Sequence, residues 1–152
     1  MATPEELQRQ VASFVRAFGL HQPERTACGQ PMSTSEAHAL DVLSERGPMR
    51  LTTLATELLL EKSTVSRLVA SMTARGWVRS QEDSTDRRAR LLRLTSAGGR
   101  AAARVAAARK EHFASVLAAI PRERRDHVIE VLEELGRASR SLKEGGSHAQ
   151  TG

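Results

Sequence analysis

Two groups of side chains in this sequence have types and spacings that could do chemistry. The first is basic and hydroxylated. It comprises Lys62, Ser63, Thr64, Ser66 and Arg67, then Arg75, then Asp86-Arg87-Arg88 and Arg90. Hydroxyl and ammonium groups suit phosphate oxygens, and an arginine fork matches the paired acceptors on a guanine edge. The second group is soft and titratable: Cys28, His38, the neighbours Glu111 and His112, and Glu36. Thiolate, imidazole and carboxylate are the ligands zinc favours, at roughly 2.0–2.3 Å. Each residue of the second group also has a plainer use. Cys28 can pack as a small hydrophobe, Glu36 can cap a helix, and His112 can stack beside Phe113.

Charge distinguishes the two groups. The chain has 152 residues and a formal net charge of +5. From Lys62 to Arg93 there are eight basic residues (Lys62, Arg67, Arg75, Arg79, Arg87, Arg88, Arg90, Arg93) and three acidic ones (Glu82, Asp83, Asp86). Eight minus three is +5, so one short stretch holds a surplus equal to that of the whole chain. A merely solvated basic surface would spread that surplus along the sequence. A concentrated one is the electrostatic footprint of a nucleic-acid site.

The elements that must position these residues follow from periodicity and punctuation. Leu7, Val11, Phe14, Val15 and Phe18 recur at helical spacing over residues 5 to about 20, and Gly19 stops them. A loop containing Pro23, Gly29 and Pro31 comes next. Ser33 with Glu36 three residues on is a capping box that starts a second helix, and Gly47-Pro48 ends it. Thr53, Leu54, Ala55, Leu58, Val65 and Leu68 have the spacing of a helix-turn-helix core. Such a core leaves Lys62 to Arg67 at the exposed start of its second helix. Trp77-Val78 and Leu91-Leu92-Leu94 frame a hairpin whose tip carries Asp86-Arg87-Arg88, with Asp86 expected to orient an arginine. Thr95 caps a long helix to about Ile120, Pro121 suits the start of another, and a mobile tail is expected from residue 144.

The expected fold is therefore mainly α: a winged helix-turn-helix with a small β-hairpin wing and long N- and C-terminal dimerisation helices. The divisions are residues 1–34 (helix and loop), 35–95 (winged helix), 96–143 (C-terminal helices) and 144–152 (tail). A helix for a major groove beside a basic ribbon for a minor groove implies double-stranded DNA as partner. Val128, Val131, Leu132, Leu135 and Leu142 make a terminal stripe too apolar for one small winged helix to cover. A homodimer follows as the expectation, and with it a pseudo-palindromic DNA site. The single cysteine rules out an intramolecular disulfide, and no apolar run approaches the roughly 20 residues of a membrane span. A cytoplasmic protein with no membrane partner is expected.

STVSRLVASMTARGWV, then Asp83-x-x-Asp86-Arg87-Arg88, then LRLTSAG (Leu92 to Gly98) resemble the MarR family of winged-helix transcriptional regulators. The helix order around them extends the likeness over nearly the whole chain. The resemblance implies a dimer paired through its terminal helices, and a small effector that changes the spacing of its DNA-reading helices. Where that family often places glycine in the turn, this chain has Leu59-Leu60.

The family's zinc-responsive branch is similar at Cys28, His38 and Glu111-His112, with Glu36 or His21 as a further ligand. That likeness implies zinc or another transition metal as effector. The branch has a further histidine where this chain has Val116. The hydroperoxide-sensing branch pairs a first-helix cysteine with tyrosines, and this chain has no tyrosine. An organic effector or oxidation of Cys28 are the alternative signals. An enzyme is not expected, because no Gly-rich phosphate loop, nucleophile elbow or HExxH occurs.

Overall fold

The computed structural model describes residues 1–147. Six helices and one hairpin follow in order: α1 (Pro4–Phe18), α2 (Thr34–Arg46), α3 (Leu51–Leu58), α4 (Lys62–Ala74), β1 (Val78–Glu82), β2 (Arg90–Leu94), α5 (Ser96–Ala119) and α6 (Arg125–Ser147). A single 3-10 turn, Arg122–Arg124, separates the last two helices. The fold is a winged helix with long terminal helices, as the residue pattern implies.

The chain divides into two compact units, Met1–Glu111 and His112–Gly152. In the first, Met32, Leu40, Leu54, Val65, Met72 and Val105 are the largest fully buried side chains. They come from four helices and the loop before α2, so one core fastens α2, α3, α4 and the first half of α5. Ala55 is buried where α3 must meet its neighbours closely. Alanines 101 and 102 are buried on α5, and their small side chains permit a near approach. In the second unit no residue from 125 to 143 is buried.

Local chemistry sets the boundaries. The capping box forms as expected. Glu36 N–H donates to Ser33 Oγ at 3.1 Å, and Ser33 N–H donates to Glu36 Oε2 at 2.9 Å. Thr95 Oγ1 accepts from Gly98 N–H at 3.0 Å and donates to the Gly76 carbonyl at 2.6 Å. One hydroxyl therefore caps α5 and holds the end of the wing. A Cβ on Gly98 would sit 2.0 Å from the Trp77 carbonyl oxygen, so only glycine lets α5 lie this close.

The turn between α3 and α4 keeps its left-handed geometry without glycine. Leu59 has φ 54° and ψ 39°, its N–H reaches Thr56 and Ala55 carbonyls, and its side chain is 56% exposed. The Cβ strain of that conformation is tolerated because the side chain meets solvent and not a packed wall. A second difference lies at the C-terminus. Helix α6 continues to Ser147, past the expected start of the tail at 144. The rest of that tail, 148–152, lies outside the described residues.

Candidate nucleic-acid interface

The hairpin pairs in antiparallel register, with Val78 opposite Leu94, Ser80 opposite Leu92 and Glu82 opposite Arg90. Val78 and Leu92 turn inward and are buried. The opposite face carries Arg79 directly across from Arg93, both exposed. Two like charges opposed on a ladder are unfavourable unless an anion meets them. This pair counted only toward the overall charge in the sequence, because register alone makes the two arginines neighbours. A third chain segment joins at the base. Met49 N–H donates to Leu92 O at 3.2 Å, and Leu92 N–H donates back to Met49 O at 2.8 Å. The wing is thus hydrogen-bonded to the segment that leads into α3.

On α4 the two faces separate cleanly. Val65 and Met72 are buried, whereas Lys62, Ser63, Ser66 and Arg67 are exposed and Thr64 is half-buried. The expected reading residues therefore share one outward surface. Arg67 also borders a hollow of about 420 Å³ lined by Ser33, Ser35, Thr64, Ser71 and Arg75 among others. Arg75 has intramolecular work. It donates to the Pro31 carbonyl at 3.0 Å, stands 3.7 Å from Glu36 Oε1, and lies 4.6 Å over the Trp77 ring. That places it as a clip between the loop before α2 and the end of α4, the ion-pair alternative to a phosphate clamp.

At the tip, Asp83 Oδ1 accepts from the Thr85 N–H at 3.0 Å and the Thr85 hydroxyl at 2.8 Å. These bonds, the backbone one foremost, hold the Asp83 carboxyl below its usual pKa, with Arg50 adding to the effect. Asp86 Oδ1 accepts from Arg88 N–H at 3.1 Å. Its other oxygen faces Arg50 at 3.5 Å, not the side chains of Arg87 or Arg88. Asp86, expected to orient an arginine, fixes the Arg88 backbone and pairs with Arg50, an arginine from another element. Arg87 and Arg88 stay exposed and form no ion pair among the described residues. Arg90 donates to Ser80 Oγ at 2.8 Å across the hairpin, which stiffens the ribbon.

The soft residues fit a metal poorly. Glu36 is only 4% exposed and both its oxygens are engaged, one by Ser33 and the other by Ser71 Oγ at 2.9 Å. Cys28 Sγ lies 3.1 Å from Thr26 Oγ1 in the loop before α2. His38 is exposed on α2, but desolvation still lowers its pKa; the Arg109 guanidinium lowers it further and Asp41 opposes both. The same guanidinium, ion-paired with Asp41, would repel a cation at His38. His112 sits edge-on to Phe113 with ring centroids 5.9 Å apart, in the second unit. Among the described residues, no group of three or more His, Cys, Asp or Glu stands ready to hold a metal.

Residues 30–89 match the sequence profile of the MarR family. No curated protein sequence matches the chain. Among solved structures, FabT of Streptococcus pneumoniae in complex with DNA is similar at 17% identity and TM-score 0.76, over 92% of this chain and 99% of that one. The PcaV transcriptional regulator of Streptomyces coelicolor is similar at 19% identity and TM-score 0.71, over 92% and 99%. BpsR of Bordetella bronchiseptica, whose DNA binding is regulated by 6-hydroxynicotinic acid, is similar at 18% identity and TM-score 0.68, over 89% and 93%. At these identities the likeness shows the fold. None of the helices among the described residues is long and apolar enough to cross a membrane.

Proposed function

We propose that this protein is a homodimeric, sequence-specific DNA-binding transcriptional regulator that acts as a repressor and answers to a small effector. The observation that carries this reading is the division of α4. One face is locked into the core by Val65 and Met72, and the other offers Lys62, Ser63, Ser66 and Arg67 to solvent beside a basic wing. A major groove about 12 Å wide admits such a helix, and Arg67 suits a guanine. Arg87, Arg88 and the Arg79–Arg93 pair suit phosphates or the adjoining minor groove. The solved FabT complex with DNA supports the same use of this fold.

The dimer is supported by the apolar residues the single chain leaves outside, Phe14 on α1 and Ile129 and Leu132 on α6 among them. A twofold pair would set two reading helices roughly 34–36 Å apart on a pseudo-palindromic site.

The effector reading favours a small organic molecule over a metal. The hollow beside α4 is lined by Arg67, Arg75, Glu24, Glu36 and several hydroxyls. Anything seated there competes with DNA for Arg67.

Selection from a random duplex library, followed by titration at two salt concentrations, tests the reading. A palindromic consensus should emerge, with log affinity falling by roughly 0.9 per phosphate contact for each log unit of salt. Failure to enrich any duplex would sink it.

A further inference from the structure

The wing tip is held from outside the wing. Arg50 is the residue just before α3, and its Nη2 lies 3.6 Å from Asp83 Oδ2 and 3.5 Å from Asp86 Oδ2. One guanidinium therefore spans both carboxylates of the tip. The neighbouring residue, Met49, makes the reciprocal backbone pair with Leu92. Consecutive residues thus grip the hairpin at two points, the base through the backbone and the tip through charge. Asp83 and Asp86 each spend their other oxygen on the tip's own backbone, at Thr85 and Arg88. The carboxylates are therefore already oriented when Arg50 meets them. Arg87 lies between the tethered Asp86 and Arg88, whose N–H that same Asp86 accepts, so the tether acts directly on the two exposed arginines.

We propose that Arg50 is a positioning residue for DNA recognition: it aims the wing tip, and with it Arg87 and Arg88, relative to the reading helix. The inference rests on the DNA-binding reading above. It adds a route by which the α3 entrance and the wing are set as one reading surface. Without Arg50 the hairpin keeps its register but the tip samples more orientations, and two carboxylates near the DNA backbone lose their neutralising partner.

Two measurements test it. The first needs no DNA. In ¹⁵N relaxation of the free protein, Arg50→Gln should lower the backbone order parameters of Ser84 to Arg88 while leaving α4 unchanged, and Arg50→Lys should restore much of the order. Unchanged order at the tip would overturn the tether. The second is a double-mutant cycle on the selected duplex. Arg50→Gln should weaken binding about three- to fivefold more in the wild-type background than in Arg87→Gln/Arg88→Gln, where no aimed arginines remain. An equal weakening in both backgrounds would mean that Arg50 acts by its own charge, and would overturn the proposal. If the wild-type protein selects no duplex, the functional reading fails on its own, and the relaxation experiment still decides the tether.

Discussion

Between Met32 and Val105 most large aliphatic side chains lie inside: Leu40, Leu54, Val65 and Met72 are fully buried, and the outward face of α4 is mainly polar or charged. In α1 and α6 the arrangement is inverted. Helix α1 buries nothing and leaves Leu7 and Phe14 exposed, and α6 leaves Ile129, Val131 and Leu132 near half exposure. Both regions are amphipathic helices built from similar residues. The first has its partners within the same fold, so its polar face is free to read a ligand. The second has its apolar face in water, which a stable helix seldom tolerates unless another surface covers it. Changes in the first region should therefore register in stability and DNA binding, and changes in the second in assembly.

The comparison is broken most severely by charging the terminal stripe. Ile129→Lys with Leu132→Glu should weaken self-association by on the order of 6 kcal/mol, since two side chains are lost from each of two copies. Light scattering should then report a monomer whose circular dichroism stays helical. A dimer that survives both changes would place its interface elsewhere.

Next in size is Gly98→Ala. Its new Cβ would strike the Trp77 backbone, and repair requires moving α5 away from the wing. A loss of roughly 3 kcal/mol in urea unfolding is expected. An ordinary stability would contradict the close approach.

Arg67→Ala lies in the first region but on its free face. It should leave unfolding unchanged within roughly 0.5 kcal/mol, while costing about 2 kcal/mol of DNA affinity and relaxing preference at one base pair. Comparison of Kd across single-base variants of the selected site checks both halves.

Leu59→Asn sharpens the contrast in the other direction. Asparagine adopts the left-handed turn more readily than leucine and removes an exposed apolar group. Stability should rise by about 0.5–1 kcal/mol, read from the urea midpoint, with DNA binding retained.

The smallest effect concerns pH. His38 has its folded pKa lowered, first by desolvation and then by Arg109, against the opposing pull of Asp41. The unfolded chain therefore holds more protons below about pH 6.5. The neutral imidazole's contribution is present above that pH and is lost as pH falls. His38→Gln should flatten the slope of stability between pH 7 and pH 5 relative to wild type; identical slopes would show that the site is indifferent to charge.

Much of the reading surface was legible because it depends on local rules. Hydrophobic spacing places Val65 and Met72 inward, and Lys62, Ser66 and Arg67 must then point out. Ser33 and Glu36 form their box because both bonds close within one turn. What was not legible depended on residues far apart in sequence. Glu36 qualifies as a ligand by type, but its free oxygen is taken by Ser71, thirty-five positions later. Arg75 qualifies as a phosphate clamp, but Pro31, Glu36 and Trp77 converge on it. Asp86 was expected to orient an arginine, and only packing decides that the arginine it pairs with is Arg50.

The sequence by itself determined where helices start and stop, which faces are apolar, and where positive charge concentrates, because these follow from period, capping and count. Only the tertiary structure decided which charges remain free for a partner. Ion pairs and hydrogen bonds between elements are fixed by packing at distances of a few ångströms, and no spacing along the chain encodes them. Arg50 shows this most directly. In sequence it is one basic residue before a helix, and in the fold it faces both carboxylates of the wing tip.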